Sequence, residues 1–261
     1  MYTDAFTFPG QKHLDNEEPN QDNYCVGDNF IGVSDGCSGG IQTEIGARKW
    51  MDALDVCLGN PECPPANTPA FDALFLNTGK DLMRSGIPQN YWATAVMAIK
   101  QTKSVVVKMF GDGAFVTLHR NGTIHLYILD APQNCPLYPA YLWNPDDLNQ
   151  WITMTNGPMD LKEYQYNYDG DLLKFVQRPI MWKEGTPFTM ELDASNLMQV
   201  MVCTDGILTI PNQQLFPMLK QLLEVNPSKN MLLPVKDELA NEWLKKDVWP
   251  TDDFTVAQMY L

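Results

Sequence analysis

The region from Ala93 to Leu129 constrains the fold more strongly than any other part of this chain. It contains a series of short apolar segments, each long enough for one strand, at 95–99, 105–110, 114–118 and 123–128. Only short turns separate them, and two of these turns, Gly111-Asp112-Gly113 and Asn121-Gly122, carry strong hairpin signals. Parallel strands need crossover connections of about a dozen residues or more, which this region lacks. We therefore predict an antiparallel meander here.

Further elements precede and follow this region. Apolar residues at helical spacing predict a helix at 43–58 and a second at 69–86, with Thr68 as N-cap and Pro69 as the first helical residue. The other expected elements are two short strands within 22–34 joined by a turn at Gly27-Asp28-Asn29, a buried strand at 197–203, helices near 212–225 and 235–246, and a last strand at 254–260. Residues 131–190 are rich in Pro, Tyr and Trp, and we expect loops and short elements there that cover one end of the sheets.

Aspartates occupy the points where apolar strands meet turns. They are Asp35, Asp112, Asp205 and Asp252, and a glycine follows each of the first three. A strand holds a carboxylate rigidly at its end, and the glycine allows a tight turn. Carboxylate oxygens gathered in this way suit Mg²⁺ or Mn²⁺. Taken alone, Asp112 and Asp205 are more typical of ordinary turns, and only the whole set indicates a metal site.

Composition excludes several classes of function. With 261 residues, of which 44% are hydrophobic, the chain can bury a substantial core, and we expect one domain over 1–261. A formal net charge of -14 disfavours nucleic acid and acidic phospholipid surfaces as partners. No segment approaches the roughly 18 apolar residues of a membrane span, and the N-terminus has no basic region followed by an apolar run. We therefore expect a soluble cytoplasmic protein. Its six cysteines lack the paired spacing of a zinc site, and a chain of this length does not need disulfides, so we expect reduced thiols.

Five short motifs follow one another along the chain. Four of them contain the aspartates named above, and the first contains a further one, Asp22. The five motifs are Asn20-Gln21-Asp22, Val33-Ser34-Asp35-Gly36-Cys37-Ser38-Gly39-Gly40, Phe110-Gly111-Asp112-Gly113, Cys203-Thr204-Asp205-Gly206 and Asp252-Asp253-Phe254-Thr255. Their order, spacing and strand context together resemble the type 2C metal-dependent protein phosphatases. The resemblance runs from about Gly10 to Leu261, and the Gly-x-x-His and Pro-Asn-Gln-Asp sequences are most similar to a bacterial subgroup of the family.

The resemblance implies a fold and an activity. The fold is α+β, a four-layer α-β-β-α sandwich with two antiparallel sheets flanked by helices, in which 131–190 is a flap or lid insertion in the single catalytic domain. The activity is that of a protein serine/threonine phosphatase, a phosphoric monoester hydrolase that acts on phospho-Ser/Thr. We accordingly expect a phosphoprotein substrate, a partner kinase and a monomeric enzyme.

The resemblance also implies two Mn²⁺ or Mg²⁺ ions as cofactors. Asp22, Asp35, Asp205 and Asp252 match the catalytic metal ligands, with Asp35 bridging both ions and the carbonyl of Gly36 adding an oxygen. Asp112 matches the aspartate that helps some bacterial members to hold a third, weaker ion. In such a centre the ions lower the pKa of a bridging water, which attacks the phosphorus directly without a covalent phosphoenzyme.

The chain departs from the common family pattern at three places. The arginine that grips phosphate in many members is absent, and the corresponding Gly10-Gln11-Lys12-His13 leaves Lys12 or His13 for phosphate binding. Cys37 stands where many eukaryotic members have the histidine that is suggested to protonate the leaving group. The residue or water that would act as general acid in this chain is therefore not identified. Gln21 and Asp253 replace the more usual Glu and Asn beside the ligands.

Two alternative functions fit the same residues. A catalytically impaired pseudophosphatase of the same fold would act as a phosphoprotein-binding or regulatory module, for which the absent arginine argues. An unrelated β-sandwich would bind structural Ca²⁺ through its turn aspartates. The Trp and Tyr residues between 138 and 168 either pack as the core of a lid or shape a substrate surface, and His119 and His125 are expected on the surface of a strand.

Overall fold

The chain folds into two β-sheets with helices on their outer faces. The computed structural model describes residues 1–37, 40, 42–84, 86, 88–131, 133, 135–155, 159–180, 187–224, 232–246 and 249–261. The strands are β1 (Tyr2–Phe8), β2 (Asn23–Val26), β3 (Phe30–Ser34), β4 (Ala95–Lys100), β5 (Ser104–Phe110), β6 (Gly113–His119), β7 (Ile124–Asp130), β8 (Met159–Tyr166), β9 (Leu172–Ile180), β10 (Phe188–Asp193), β11 (Leu197–Cys203) and β12 (Phe254–Tyr260). The α-helices are α1 (Gln11–Asn16), α2 (Thr43–Gly59), α3 (Pro69–Leu82), α4 (Pro145–Thr155), α5 (Asn212–Leu223) and α6 (Leu232–Lys246). None of the described helices has the length and apolar content needed to cross a membrane.

Hydrogen bonding arranges the strands in two antiparallel sheets. The larger sheet has the order β1-β12-β11-β6-β7-β8-β9, and the smaller sheet has the order β10-β5-β4-β3-β2. The facing sides of the sheets share one apolar core, to which Val33 and Val96 contribute from the smaller sheet and Val202 and Ala257 from the larger. The predicted pair of packed antiparallel sheets is therefore confirmed.

Helices cover the outer face of each sheet. On the smaller sheet, α2 and α3 pack around Trp50 and Phe75, whose ring centroids are 5.2 Å apart. On the larger sheet, α5 and α6 pack through Leu219 and Trp243, which are both buried. Each sheet thus has one apolar face toward the other sheet and a second toward helices, which gives the predicted four layers.

The prediction of one continuous meander over 93–129 is wrong. β4 and β5 form a hairpin in the smaller sheet, whereas β6 and β7 form a hairpin in the larger sheet. The chain changes sheet at Gly111-Asp112-Gly113, where φ is 97° at Gly111 and 134° at Gly113. Glycine adopts these positive φ values without the penalty that a side chain brings. The turn signal correctly indicates a reversal of the chain, but it does not specify that the other neighbour of β6 is β11.

The expectation of loops and short elements over 131–190 is wrong for much of that segment. A 3-10 helix at Pro139–Trp143 and α4 come first, after which β8 and β9 extend the larger sheet, while β10 forms an edge of the smaller one. β9 lies at the sheet edge with most of its side chains exposed, so it lacks the alternating burial by which a strand is recognised. Residues 132, 134, 156–158 and 181–186 lie outside the described part of the chain.

Most other element predictions are confirmed. β11 and β12 have the predicted bounds, and α2 and α3 begin at the predicted residues. The ends of the helices differ, because α3 ends at Leu82, before the expected Gly86, and α6 begins at Leu232, earlier than 235. His119 and His125 are half-buried rather than on an open surface, with their ring centroids 4.7 Å apart.

Candidate metal centre

The register of the larger sheet brings three of the expected ligands to one end. Cys203, at the end of β11, pairs with Ala114 of β6 and with Val256 of β12. The segments just beyond these paired residues hold the aspartates at positions 112, 205 and 252. Strand pairing therefore gathers residues that are far apart in the sequence.

The smaller sheet supplies Asp22 and Asp35. Its β2–β3 hairpin pairs Asn23 with Ser34, so the two aspartates next to these residues leave the sheet side by side. The carboxyl group of Asp35 lies within hydrogen-bonding reach of both Asp22 and Asp205, and so it connects the ends of the two sheets. The structure thus brings these expected ligands together.

Burial and mutual repulsion raise the pKa of the clustered carboxyl groups. Burial is the larger cause for Asp22, Asp35 and Asp112, and it raises each pKa well above its ordinary value. The charge of Asp205 raises the pKa of Asp35 and Asp112 further. For Asp205 itself, burial followed by the charge of Asp252 raises the pKa to about 6. A cation bound here would relieve this repulsion and favour the ionised form of every carboxyl group.

The polar atoms of the cluster fit a divalent cation. The Oδ1 atoms of Asp22 and Asp112 are buried without a hydrogen-bond partner, and an ionised carboxylate can only accept. Among the residues that the structure describes, none of the five aspartates forms an ion pair with a lysine, arginine or histidine. Buried carboxylates that lack a cationic side chain are typical of sites that take a hard metal ion.

The aspartate side chains of the cluster are not arranged around a common point that one ion could occupy. Within the described residues, no three or more His, Cys, Asp or Glu side chains are arranged to hold one ion. The carboxyl groups instead pair with one another, with Asp35 between Asp22 and Asp205.

Hydrogen bonds to the neighbouring strands orient Asp22. Thr204 donates from its Oγ1 to Oδ2 of Asp22 at 2.7 Å, and the same Oγ1 accepts the amide of Thr255 at 3.0 Å. The amide of Asp22 donates to Oδ1 of Asn20 at 2.8 Å. Thr204 therefore ties Asp22 to the ends of β11 and β12, a role that the sequence pattern did not indicate.

Asp253 anchors the N-terminal segment beside the cluster. Its Oδ1 accepts the amide of Gly10 at 2.7 Å and lies 2.7 Å from Nδ1 of His13, while its Oδ2 accepts the amide of Gln21 at 2.5 Å. An ionised aspartate supplies acceptors on both oxygens, which an asparagine at this position does not. Asp253 in place of the more usual Asn therefore accounts for these hydrogen bonds beside the expected ligands.

The two residues expected to bind phosphate differ in their surroundings. His13 is 1% exposed and its ring faces Asp253, so a direct contact with phosphate does not fit its burial. Lys12 is exposed, and its amide donates to the carbonyl of Thr251, next to Asp252. Lys12 therefore stays a predicted phosphate contact. His13 instead contacts Asp253 and so helps to hold the segment that carries Asp252.

Close backbone contacts surround the cluster. Gly36, whose carbonyl is an expected ligand, pairs with Ala93 in an isolated antiparallel bridge. A Cβ atom on Gly206 would lie 1.8 Å from the carbonyl oxygen of Asp253. Only a glycine at 206 lets the segments that follow Asp205 and Asp252 approach each other so closely.

One carboxylate near the cluster was missed by the sequence analysis. Asp130, the last residue of β7, adds its charge to the causes that raise the pKa of Asp112 and Asp205. Its Oδ2 lies 2.5 Å from Nζ of Lys162 on β8, a strand that was not predicted. The rule that singled out the other strand-end aspartates also applies to Asp130.

Comparisons with known proteins identify the family of this chain. A family model described as Protein phosphatase 2C matches residues 9–246. A search of curated proteins found no match.

Several solved structures share the fold at low sequence identity. The serine/threonine phosphatase Stp1 from Staphylococcus aureus has a TM-score of 0.60 and 14% identity, covering 100% of this chain and 95% of that one. The catalytic domain of the phosphatase PstP in complex with 2 manganese ions has a TM-score of 0.56 and 14% identity, covering 98% and 96%. A serine-threonine phosphatase 2C from Toxoplasma gondii has a TM-score of 0.55 and 15% identity, covering 99% and 94%.

Proposed function

This chain belongs to the protein phosphatase 2C family of protein serine/threonine phosphatases, and from this premise we propose that it hydrolyses phosphoserine and phosphothreonine in proteins with a binuclear Mn²⁺ or Mg²⁺ centre. The observation that carries the proposal is the burial of Asp22, Asp35 and Asp205 in one cluster, in which the carboxyl group of Asp35 interacts with both of the others. In this proposal the chain is a single catalytic domain. It acts as a cytoplasmic monomer and removes phosphate groups that a partner kinase has added.

The aspartates would share the ions between them. Asp35, which reaches both Asp22 and Asp205, would bridge the pair, and Asp252 would complete it beside Asp205. The carbonyl of Gly36 would add an oxygen, and Asp112 would serve a third, weaker ion. When bound, such ions activate water as the nucleophile and neutralise charge that develops on the phosphoryl group.

The chain's own residues orient the centre and attract the phosphate. Thr204 holds Asp22 through a 2.7 Å hydrogen bond, and Asp253 fixes the segment that carries Asp252. Lys12, exposed on α1 next to that segment, would attract the dianionic phosphate as a point charge, without the bidentate grip of an arginine. The helical part of 131–190, which includes α4, would act as the lid.

Metal-dependent hydrolysis tests the proposal directly. With millimolar Mn²⁺ the purified protein is expected to hydrolyse p-nitrophenyl phosphate and a phosphothreonine peptide. Asp35→Asn and Asp205→Asn should abolish both activities, whereas Asp169→Asn, which changes an exposed turn aspartate, should leave them unchanged. Absence of hydrolysis of both substrates by the parent protein would refute the proposal.

A pseudophosphatase is the second candidate, and one observation favours it. The phosphate-gripping arginine is absent from the corresponding position, and of the two residues expected to replace it only Lys12 is exposed. His13 is buried against Asp253. Calorimetric titration with Mn²⁺ separates the two functions, because a decayed centre should bind no metal. Metal binding together with turnover supports the enzyme.

A further inference from the structure

A cavity of about 430 Å³ opens beside the aspartate cluster. Its walls are largely aromatic and sulfur-containing, and they include Cys37, Trp92, Tyr138, Tyr141, Trp151 and Met154. Cavities of this size and composition are typical of sites that bury an apolar group. The residues come from the loop after β3, the segment before β4 and the helical segment that contains α4.

The loop after β3 connects the cavity to the aspartate cluster. Cys37 follows Asp35 by two residues, and its amide donates to the carbonyl of Trp92 at 2.8 Å. The amide of Thr94 in turn donates to the carbonyl of Asp35 at 2.8 Å. The charges of Asp35 and Asp112 also act on Tyr138. A peptide with its phosphorylated residue at the cluster would therefore have neighbouring residues within reach of this cavity.

Two polar groups of the lining already have partners within the protein. Nε1 of Trp151 donates to the carbonyl of Cys135 at 3.0 Å, and the hydroxyl of Tyr138 lies within hydrogen-bonding reach of the Cys37 thiol. Burial, followed by the charge of Cys37, raises the pKa of Tyr138, so its hydroxyl stays neutral. The lining therefore offers a ligand mainly aromatic faces and the Met154 thioether, which is 52% exposed.

The charges around the cavity limit what can enter. Asp147 contributes to its lining, and Asp35 and Asp112 lie on the side of the cluster. A carboxylate on a side chain that enters the cavity would be repelled by Asp147. An anionic occupant is therefore disfavoured, and the aromatic and thioether lining favours an apolar one. A neighbouring lysine or arginine is compatible with Asp147.

We propose that this cavity binds a large apolar side chain of the phosphoprotein, close in sequence to the phosphorylated residue, and so selects substrates. The inference rests on the proposed function and deepens it, because it names the chemistry by which this phosphatase distinguishes one phosphorylated segment from another. Phenylalanine and long aliphatic side chains are the expected occupants, and alanine or glutamate at the same position disfavours binding.

Peptide affinity tests the inference without relying on turnover. In a set of fluorescent peptides with a non-hydrolysable phosphonate in place of phosphothreonine phosphate, a single phenylalanine is moved through the three positions on each side. Fluorescence polarisation in the presence of Mn²⁺ should identify one position at which phenylalanine binds roughly ten-fold tighter than alanine. Met154→Ala should reduce that preference about three-fold, because it removes apolar contact in the cavity.

Ile152→Ala is the matched control. Ile152 lies on the same helix and is 51% exposed, but it is not one of the residues that line the cavity. Equal affinity for all phenylalanine and alanine peptides, or an equal effect of the two variants, overturns the inference. Hydrolysis of p-nitrophenyl phosphate by the same preparations reports the proposed function separately. Loss of that hydrolysis with a retained phenylalanine preference would refute phosphatase activity and leave the apolar site.

Discussion

Nδ1 of His13 lies 2.7 Å from Oδ1 of Asp253, although 240 positions separate the two residues. Both side chains are buried, with exposures of 1% and 2%. The contact joins α1 to the segment that carries Asp252, so it sets the position of an expected metal ligand from outside the cluster. Long-range hydrogen bonds of this kind are the basis of the first prediction.

Asp253→Asn should destabilise the protein. The substitution keeps the shape of the side chain but replaces one acceptor oxygen with an NH₂ group that meets a buried N–H donor. We expect a loss of about 2–4 kcal/mol in the free energy of unfolding, measured by urea denaturation. Asp15→Asn, an exposed change on α1, serves as control. A urea midpoint of Asp253→Asn equal to that of the parent would contradict the assignment.

The metal-free protein should lose stability as the pH rises from about 4 to 7. The pKa of Asp205 is raised from 3.8 to about 6, so the folded protein retains a proton that the unfolded chain releases. The contribution is fully present below the unfolded pKa and is lost as the pH passes the folded pKa. For Asp205 alone it amounts to about 3 kcal/mol. In EDTA, the thermal midpoint of the parent should fall as the pH rises, and it should fall less steeply in Asp205→Asn. Equal pH dependence in the two proteins would show that Asp205 is not the cause.

Mn²⁺ should stabilise the folded protein through the same carboxylates. An ion that binds only the folded state at a concentration one hundred times its Kd adds about 2.7 kcal/mol. A thermal shift with Mn²⁺ that EDTA reverses is the expected measurement. Asp35→Asn should lose the shift because Asp35 contacts both Asp22 and Asp205, and Asp169→Asn should keep it. A full shift in Asp35→Asn would remove that residue from the ligand set.

Gly206→Ala should be severely destabilising. The new Cβ atom would lie 1.8 Å from the carbonyl oxygen of Asp253, which is backbone and has no freedom to move aside. We expect a loss of about 3 kcal/mol or more, read from the urea midpoint or from the yield of folded protein. Gly59→Ala is the control, because no atom lies within 4 Å of its added Cβ. Similar stability of the two variants would mean that the segments after Asp205 and Asp252 are further apart.

Several features of the candidate site follow from short stretches of sequence. The aspartates at strand ends are recognisable because apolar runs stop beside them, and the structure brings two of them, Asp35 and Asp205, together. Asp22, which lies beside Asp35, was identified only through the family resemblance. Asp130 satisfies the same rule at the end of the predicted strand over 123–128 but was overlooked, and its ion pair with Lys162 became visible only with β8. The burial of His13 has no local signal, because its partner Asp253 is at the other end of the chain.

The sequence by itself determined the class of fold, the starts of α2 and α3, the bounds of β11 and β12, and the family. Only the tertiary structure decided that the chain changes sheet at Gly111-Asp112-Gly113 and that β8 and β9 extend the larger sheet. Turn chemistry and apolar periodicity act over a few residues, so they specify where an element begins or reverses. The choice of a neighbouring strand depends on which distant segments bury each other's apolar faces, and that is settled only when both sheets are assembled.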